Sequence, residues 1–217
     1  DELAGPFDFE ANLSYARFLT NVARLEESLV YLERAVRAEP LLMRPLTMLA
    51  TVHGMRGDFA TAEANLLAAE KLSGDPALTR NALATIYLAT RNYAGVRRVL
   101  ARDPSARLAL LEDPAAGLAE LRRTFAQEAR SPNGASLFGI VLSAAFWGDP
   151  ALSLEAMRAM DSSVNILVIW QPGLQQVRQL PGFKDLLREL GLVDYWRSTG
   201  RCGEPGQPVS ETDFVCR

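Results

Sequence analysis

A pattern that returns with a period of about 34 residues constrains the fold of this chain more than any other feature of its sequence. Two amphipathic helical segments meet at a Gly57-Asp58 turn, and the same unit recurs on both sides of it. Small residues at facing positions let paired helices cross closely, and larger apolar residues fill the sides. One such hairpin cannot bury its own apolar face, so the pattern predicts hairpins that stack on one another. The matched series are Ala16, Ala50 and Ala84; Ser28, Ala62 and Val96; Leu32, Leu66 and Leu100; and Leu19, His53 and Tyr87.

The spacing, the small residues and the closing Pro40 resemble the tetratricopeptide repeat (TPR) family over about residues 9–103. Where that family has its first signature aromatic, this chain has Asn12, Leu46 and Arg80. The resemblance implies an all-α fold, a TPR-like solenoid of helical hairpins in a right-handed superhelix, with an irregular helical C-terminal cap. It divides the chain into 1–103, with three TPR-like hairpins, and 104–217, with a degenerate fourth hairpin, the helical cap and a cysteine-bearing tail.

Turn and cap signals place the helices. In the fourth unit, Gly148-Asp149-Pro150 repeats the Gly57-Asp58 signal, and signature positions fall at Val141, Ser153 and Met157. Residues 163–170 are an apolar run that fits a buried strand or a buried helix, and the helical neighbourhood favours a helix. The other helices are expected at residues 9–22, 25–38, 44–55, 59–71, 76–90, 93–102, 104–111, 114–130, 135–147, 150–160, 174–179 and 183–190.

Composition restricts the class of partner. The net charge is −3, which argues against a general nucleic-acid or anionic-membrane surface. No apolar run reaches the length of about 18 residues that a membrane-spanning helix requires. The sequence begins Asp1-Glu2 without Met, which indicates a processed form or a fragment, and membrane contact is expected only through a preceding segment.

The two cysteines, Cys202 and Cys216, lie close to the C-terminus, in a segment without a helical pattern. One interpretation is a structural disulfide formed in an oxidising compartment, worth about 3 kcal/mol for so short a loop. The other is a pair of unrelated thiols in a cytosolic tail. We favour the bridge, because such a tail otherwise has little to hold it down.

The C-terminal end carries a second resemblance. Its elements are Trp170, the segment 183–187 (Phe-Lys-Asp-Leu-Leu), the segment 191–196 (Gly-Leu-Val-Asp-Tyr-Trp), and a closing Phe-Val-Cys at 214–216. This ending resembles the tail of bacterial repeat proteins that are often membrane-anchored winged-helix regulators or nucleotide cyclases. The resemblance implies that the chain is the exported repeat portion of such a protein, located outside the cytoplasm, in the bacterial periplasm.

Nothing in the sequence favours an enzyme. His53 is the only histidine, and its repeat counterparts Leu19 and Tyr87 are packing positions. No nucleophile elbow, zinc-protease motif or phosphate-binding loop is present. We therefore expect no catalytic residue, no cofactor and no metal site.

The resemblance to the TPR family does place a binding groove, because the first helix of each hairpin lines the concave face in that family. Asn and Thr side chains there can hydrogen-bond a peptide backbone, although simple solvation is an equal alternative. The leading hypothesis is a protein- or peptide-binding module that senses or recruits. One alternative is a small-molecule sensor with a pocket in 104–170. The other is an envelope adaptor that contacts other subunits through the C-terminal aromatic residues, in which case the chain would form an oligomer. Carried over unit by unit, the groove positions are Leu13, Arg17 and Asn21; Thr47, Thr51 and Met55; and Asn81, Thr85 and Leu88.

Overall fold

The computed structural model describes residues 8–101, 110–128, 134–160, 166–201, 203, 206–208 and 214–216. The chain divides into two compact units, unit 1 from Asp1 to Thr90 and unit 2 from Arg91 to Arg217. The described residues are helical apart from turns and one short two-stranded ribbon, which confirms the all-α class. The unit boundary lies before the one predicted from the repeat at 103/104, and that domain division stays a prediction.

The described part of unit 1 consists of five helices, of which the first four each pack against the next, and the third also contacts the fifth. Its best-defined cluster of buried side chains joins the first three helices at Leu13, Ala16, Leu25, Leu32, Ala35, Leu49 and Val52. The predicted boundaries agree with the observed ones to within two residues. The helices are α1 (Phe9–Asn21), α2 (Leu25–Ala38), α3 (Met43–Met55), α4 (Phe59–Ser73) and α5 (Ala77–Ala89).

The small residues of the repeat pattern lie in the interior. Ala50, Ala62 and Ala84 are each at most 1% exposed. Across the first hairpin, the hydroxyl of Ser28 donates to the carbonyl of Ala16 at 2.9 Å. Side chains this small let the backbones of paired helices approach closely, as the sequence predicts.

The turns that follow the first helix of each of the first three hairpins share one backbone conformation. The turn residue has a positive φ of 63° at Ala23, 83° at Gly57 and 55° at Arg91, and these three positions are separated by the repeat period. The next residue is the N-cap of the following helix, and the side chain of Asp58 accepts a hydrogen bond there from the backbone of Thr61. The repeat in the sequence is therefore a repeat in backbone conformation, including the two turns that lack glycine.

Unit 2 begins with α6 (Tyr93–Leu100). Its later helices pack in sequence, with α8 between α7 and α9, α9 against α11 and α12, and α12 against α13. Two strands pair antiparallel near the C-terminus, with Gly206 opposite Cys216. The remaining elements are α7 (Pro114–Glu128), α8 (Gly134–Phe146), α9 (Pro150–Ala159), α10 (Ile166–Ile169), α11 (Gln175–Arg178), α12 (Pro181–Glu189), α13 (Leu192–Thr199), β1 (Gly206–Pro208) and β2 (Phe214–Cys216).

Helices α8 and α9 form a hairpin that shares its turn and cap with the second hairpin and one interhelical hydrogen bond with the first. Gly148 has a φ of 86°, and the carboxylate of Asp149 accepts from the backbone of Leu152 at 3.1 Å. The hydroxyl of Ser153 donates to the carbonyl of Val141 at 2.9 Å, across the same separation in sequence as Ser28 and Ala16. The signature residues assigned to this hairpin from sequence thus make the contact that the first hairpin makes.

The aromatic residues near the C-terminus belong mainly to the core of unit 2. Trp170 and Trp196 are 3% and 4% exposed, and their ring centroids are 6.2 Å apart. Phe183 is fully buried. These three residues stabilise the unit, whereas Phe146, Trp147 and Tyr195 are partly exposed. The envelope-adaptor hypothesis stays a prediction.

Candidate binding surface

The first helices of successive hairpins are neighbours in unit 1. Glu10 of α1 lies 3.9 Å from Arg44 of α3, which links those two helices at the surface. Between α3 and α5 the approach is closer, since a Cβ added at Gly54 would lie 2.9 Å from Cδ1 of Ile86. Any larger residue at this position would force the isoleucine to move. The residues predicted for the groove on α3 and α5 therefore lie on adjacent elements.

The predicted groove residues differ in how much of each side chain reaches the solvent. Arg17 on α1 and Asn81 on α5 are exposed. The other predicted groove residues on the first two hairpins, apart from Leu13, are partly buried. Met55 also packs against the core cluster of unit 1. This intermediate group consists of Asn21, Thr47, Thr51 and Met55.

The threonine hydroxyls already donate within their own helices. Thr51 donates to the carbonyl of Thr47 at 2.8 Å, Thr47 donates to that of Arg44 at 2.9 Å, and Thr85 donates to that of Asn81 at 3.0 Å. A hydroxyl has one hydrogen to donate and two lone pairs to accept with. These threonines can therefore receive a hydrogen bond from a ligand but have no hydrogen left to give.

Leu13 was expected in the groove, and this expectation is wrong. Its side chain is 1% exposed and belongs to the core cluster of unit 1. Leu13 occupies the same repeat position as Thr47 and Asn81. Unlike those two residues it is apolar, and its side chain packs into the core. An apolar side chain gains free energy when its surface leaves water.

Thr85 and Leu88 have little surface to offer a ligand, because each is 6% exposed. One repeat period separates Asn21 from Met55, and one more leads to Ala89 rather than Leu88. Ala89 is partly exposed, and the period itself could have found this position. The register of Leu88 is instead that of Thr20 and Gly54, which are both buried.

His53 lies in the last turn of α3. Its Nδ1 atom is 3.1 Å from Oδ2 of Asp58, and its side chain is mostly buried. Hydrogen bonds from the hydroxyl and backbone of Thr61, and to a smaller extent the neighbouring histidine, hold the pKa of Asp58 below its usual 3.8. These contacts describe a helix cap, which is a structural role.

Several expectations concern residues that the structure leaves undescribed. Residues 102–109, 129–133 and 161–165 interrupt the region 104–170 in which a small-molecule pocket was an alternative. Cys202 also lies outside the described residues, so the bridge to Cys216 remains a prediction. Within the described ranges, His, Cys, Asp and Glu side chains form no group of three or more that could hold a metal ion. In those same ranges, none of the helices combines the length and apolar character needed to cross a membrane.

Comparison with known proteins assigns no family to the chain. No protein-family model, no curated protein and no solved structure matches it. Neither of the resemblances read from the sequence gains support from these searches. The function is therefore argued from the geometry of the chain itself.

Proposed function

We propose that this chain is a non-enzymatic module that binds a protein or an extended peptide along the first helices of a TPR-like hairpin solenoid. The observation that carries the proposal is the adjacency of α3 and α5, with polar side chains at their outer positions and the small residues of the repeat buried beneath them. A preformed surface of this kind binds an extended chain without a large ordering cost of its own.

The local geometry of the hairpins supports the TPR-like arrangement. The positive-φ turn recurs at Ala23, Gly57 and Arg91 with the period of the sequence, and Gly148 repeats it in unit 2. A right-handed superhelix is the arrangement that stacked hairpins of the resembled family adopt. We extend it to this chain as part of the proposal.

The chemistry of the surface favours a backbone ligand over a charged one. The hydroxyls of Thr47 and Thr51 can accept hydrogen bonds from the N–H groups of an extended peptide. The exposed side chains of Arg17 and Asn81 can donate to its carbonyl groups. Among the predicted groove residues Arg17 is the one cation, which is too little charge for a carboxylate clamp.

A display library of random linear peptides tests the groove, because selection from it works without the ligand being known. Peptides selected on the intact chain would be measured against an Arg17→Ala/Asn81→Ala variant by fluorescence anisotropy. A matched control is Arg37→Ala/Lys71→Ala, which removes exposed side chains from the second helices α2 and α4. We expect at least about a tenfold loss of affinity for the groove variant, equivalent to about 1.4 kcal/mol, and none for the control. Equal affinity for both variants would remove the groove from the proposal.

We further propose an extracytoplasmic setting, in which the chain senses or recruits as the exported part of a bacterial regulator. The tail resemblance and the Cys202 and Cys216 pair support this setting. Mass spectrometry of the alkylated chain, with and without earlier reduction, tests the bridge that supports this setting. Protein purified from an oxidising compartment should take up two labels only after reduction, and labelling of both thiols without reduction would count against the bridge.

A further inference from the structure

Methionine is concentrated on one helix of the proposed groove. Three of the five methionines in the chain, Met43, Met48 and Met55, lie on α3, and each is partly exposed. The other two, Met157 and Met160, lie in unit 2 and are 5% and 8% exposed. The methionines with appreciable surface are therefore those of α3.

Met48 and Met55 lie on the same side of α3. They are seven positions apart, which is close to two turns of an α-helix, so one side chain lies above the other along the helix. Thr51 lies between them on that side, and we call these three residues the methionine stripe. The hydroxyls of Thr47 and Thr51 are the acceptors of the proposed groove. The stripe therefore adjoins the positions at which the backbone of a ligand would be bound.

Both methionines of the stripe contact the core and the solvent together. Met48 and Met55 pack against the core cluster of unit 1, and both remain partly exposed. A methionine side chain is unbranched, with three rotatable bonds and a polarisable sulfur, so its outer end can adapt to different neighbours. The stripe thus offers an apolar contact whose shape is not fixed.

The stripe lies in the middle of a continuously described part of the chain. Residues 8–101 are described without a gap, and α3 packs against α2, α4 and α5. Next to Met55, α3 and α5 are in close contact, since a Cβ added at Gly54 would lie 2.9 Å from Cδ1 of Ile86. Met48 and Met55 are therefore partly exposed although the neighbouring helices are in place.

The charges near the stripe indicate which ligand side chain it accepts. Residues 45–52 of α3 include no charged residue, and Arg44, which precedes them, lies 3.9 Å from Glu10. A charged ligand side chain on the stripe would lose hydration without gaining a partner of opposite charge. An apolar side chain would gain free energy there, because its surface and that of the methionines would leave water together.

The spacing of the helices limits how many ligand side chains reach the stripe. Packed helices are about 8–10 Å apart, and an extended chain advances about 3.3 Å per residue. A peptide that crosses the first helices of successive hairpins therefore meets a new helix about every three residues. One ligand side chain is then centred on α3.

We infer that the ligand of the groove is an extended peptide that places one apolar side chain on the methionine stripe. This side chain is selected for its apolar character and not for its shape, because flexible methionine-rich surfaces repack around different partners. The inference rests on the proposed function, since it uses the same groove. It adds the class of side chain that the ligand must carry.

Substitutions in a selected peptide test the chemical class of that side chain. Peptides that bind the intact chain would be taken from the display library, and each of their positions replaced in turn by serine, glutamate, leucine, isoleucine and methionine. We expect one position at which serine or glutamate raises the Kd at least tenfold, while leucine, isoleucine and methionine agree within about threefold. A position that tolerates a single apolar residue, or peptides without any apolar position of this kind, would overturn the inference.

Methyl NMR of the full wild-type chain locates the contact. With ¹³C in the methionine methyl groups, the five methionines give separate signals that single substitutions assign. Addition of a selected peptide should shift the signals of Met48 and Met55 and leave those of Met157 and Met160 in place. Unshifted signals of Met48 and Met55 at saturating peptide would refute the inference, and this result does not depend on the folding of any variant.

A Met48→Gln/Met55→Gln variant tests the energetic part. It should raise the Kd for the peptides at least tenfold, with an unchanged circular dichroism spectrum. The matched control is Met43→Gln, which lies on the same helix about 130° around its axis from the other two methionines and should bind normally. Peptide binding that needs Arg17 and Asn81 but neither methionine of the stripe would overturn this inference and leave the proposed function standing. A library that yields no binding peptide would overturn both.

Discussion

Leu66 and Leu67 provide a sharp test of the repeat, because they are adjacent in α4 and differ in burial. Leu66 is 1% exposed and stands in register with Leu32 and Leu100, whereas Leu67 is 41% exposed. Substituting each by Ala removes the same atoms and changes the intrinsic helix propensity equally. Leu66→Ala should lower the free energy of unfolding by about 2–5 kcal/mol, through lost burial and a residual cavity. Leu67→Ala should cost about 1 kcal/mol or less, since much of that side chain already contacts water.

The assay is urea denaturation of both variants and of the wild-type chain, followed by far-ultraviolet circular dichroism. Tryptophan fluorescence would not serve, because Trp147, Trp170 and Trp196 all lie in unit 2. The circular dichroism signal includes the helices of unit 1. Equal destabilisation by the two substitutions, or a larger effect of Leu67→Ala, would refute the assignment of Leu66 to a buried repeat position.

Two further predictions concern a turn and a helix cap. Gly173→Ala should destabilise unit 2 by more than Gly148→Ala, as measured by tryptophan fluorescence in urea. The two glycines have nearly equal φ values of 88° and 86°. An added Cβ would lie 2.6 Å from the Phe146 ring at Gly173, whereas at Gly148 it would have no atom within 4 Å. Equal losses would show that φ strain alone, about 1–2 kcal/mol, decides both sites. Because the folded-state pKa of Asp58 is depressed, its stabilising effect is present above the usual 3.8 and is lost as the pH falls through the folded value. Asp58→Asn should therefore reduce the change in unfolding free energy between about pH 5 and about pH 2, and an unchanged pH profile would contradict the cap at Thr61.

The helices of unit 1 could be predicted because pattern, turn and cap signals agree along this part of the chain. Gly57 and Asp58 are recognisable signals in the sequence, because glycine tolerates a positive φ and aspartate commonly caps a helix such as α4. At Ala23 and Arg91 the same turn occurs without glycine, and only the period reveals it. Local signals and hairpin packing therefore specify the same backbone, and packing suffices where the local signal is weak.

The end of the chain was harder to predict. Helix α13 follows Gly191 directly, and no helix bounds were predicted from the sequence beyond residue 190, only an irregular helical cap. The β1–β2 ribbon was missed altogether, since strands of three residues are too short to show an alternating pattern. Both elements depend on contacts that a window of sequence does not contain.

The binding surface was only partly predictable for a similar reason. Periodicity identifies the face of a helix, but it does not report how far a neighbouring helix covers that face. Leu13 has the register of Thr47 and Asn81 and is nevertheless part of the core. The donor hydrogens of the threonines are equally invisible in sequence, because they depend on rotamers that bring each hydroxyl to a carbonyl of its own helix.

The packing of α1 to α4 each against the next helix of unit 1 bears on how this unit reaches its native state. Contacts between segments so near in sequence give a low relative contact order, and chains of that kind fold in microseconds to milliseconds. Because little loop entropy has to be lost before a contact forms, a nascent chain can assemble α1 and α2 before α5 has been synthesised. Duplicating or deleting one whole repeat would then lengthen or shorten the structure without rethreading it.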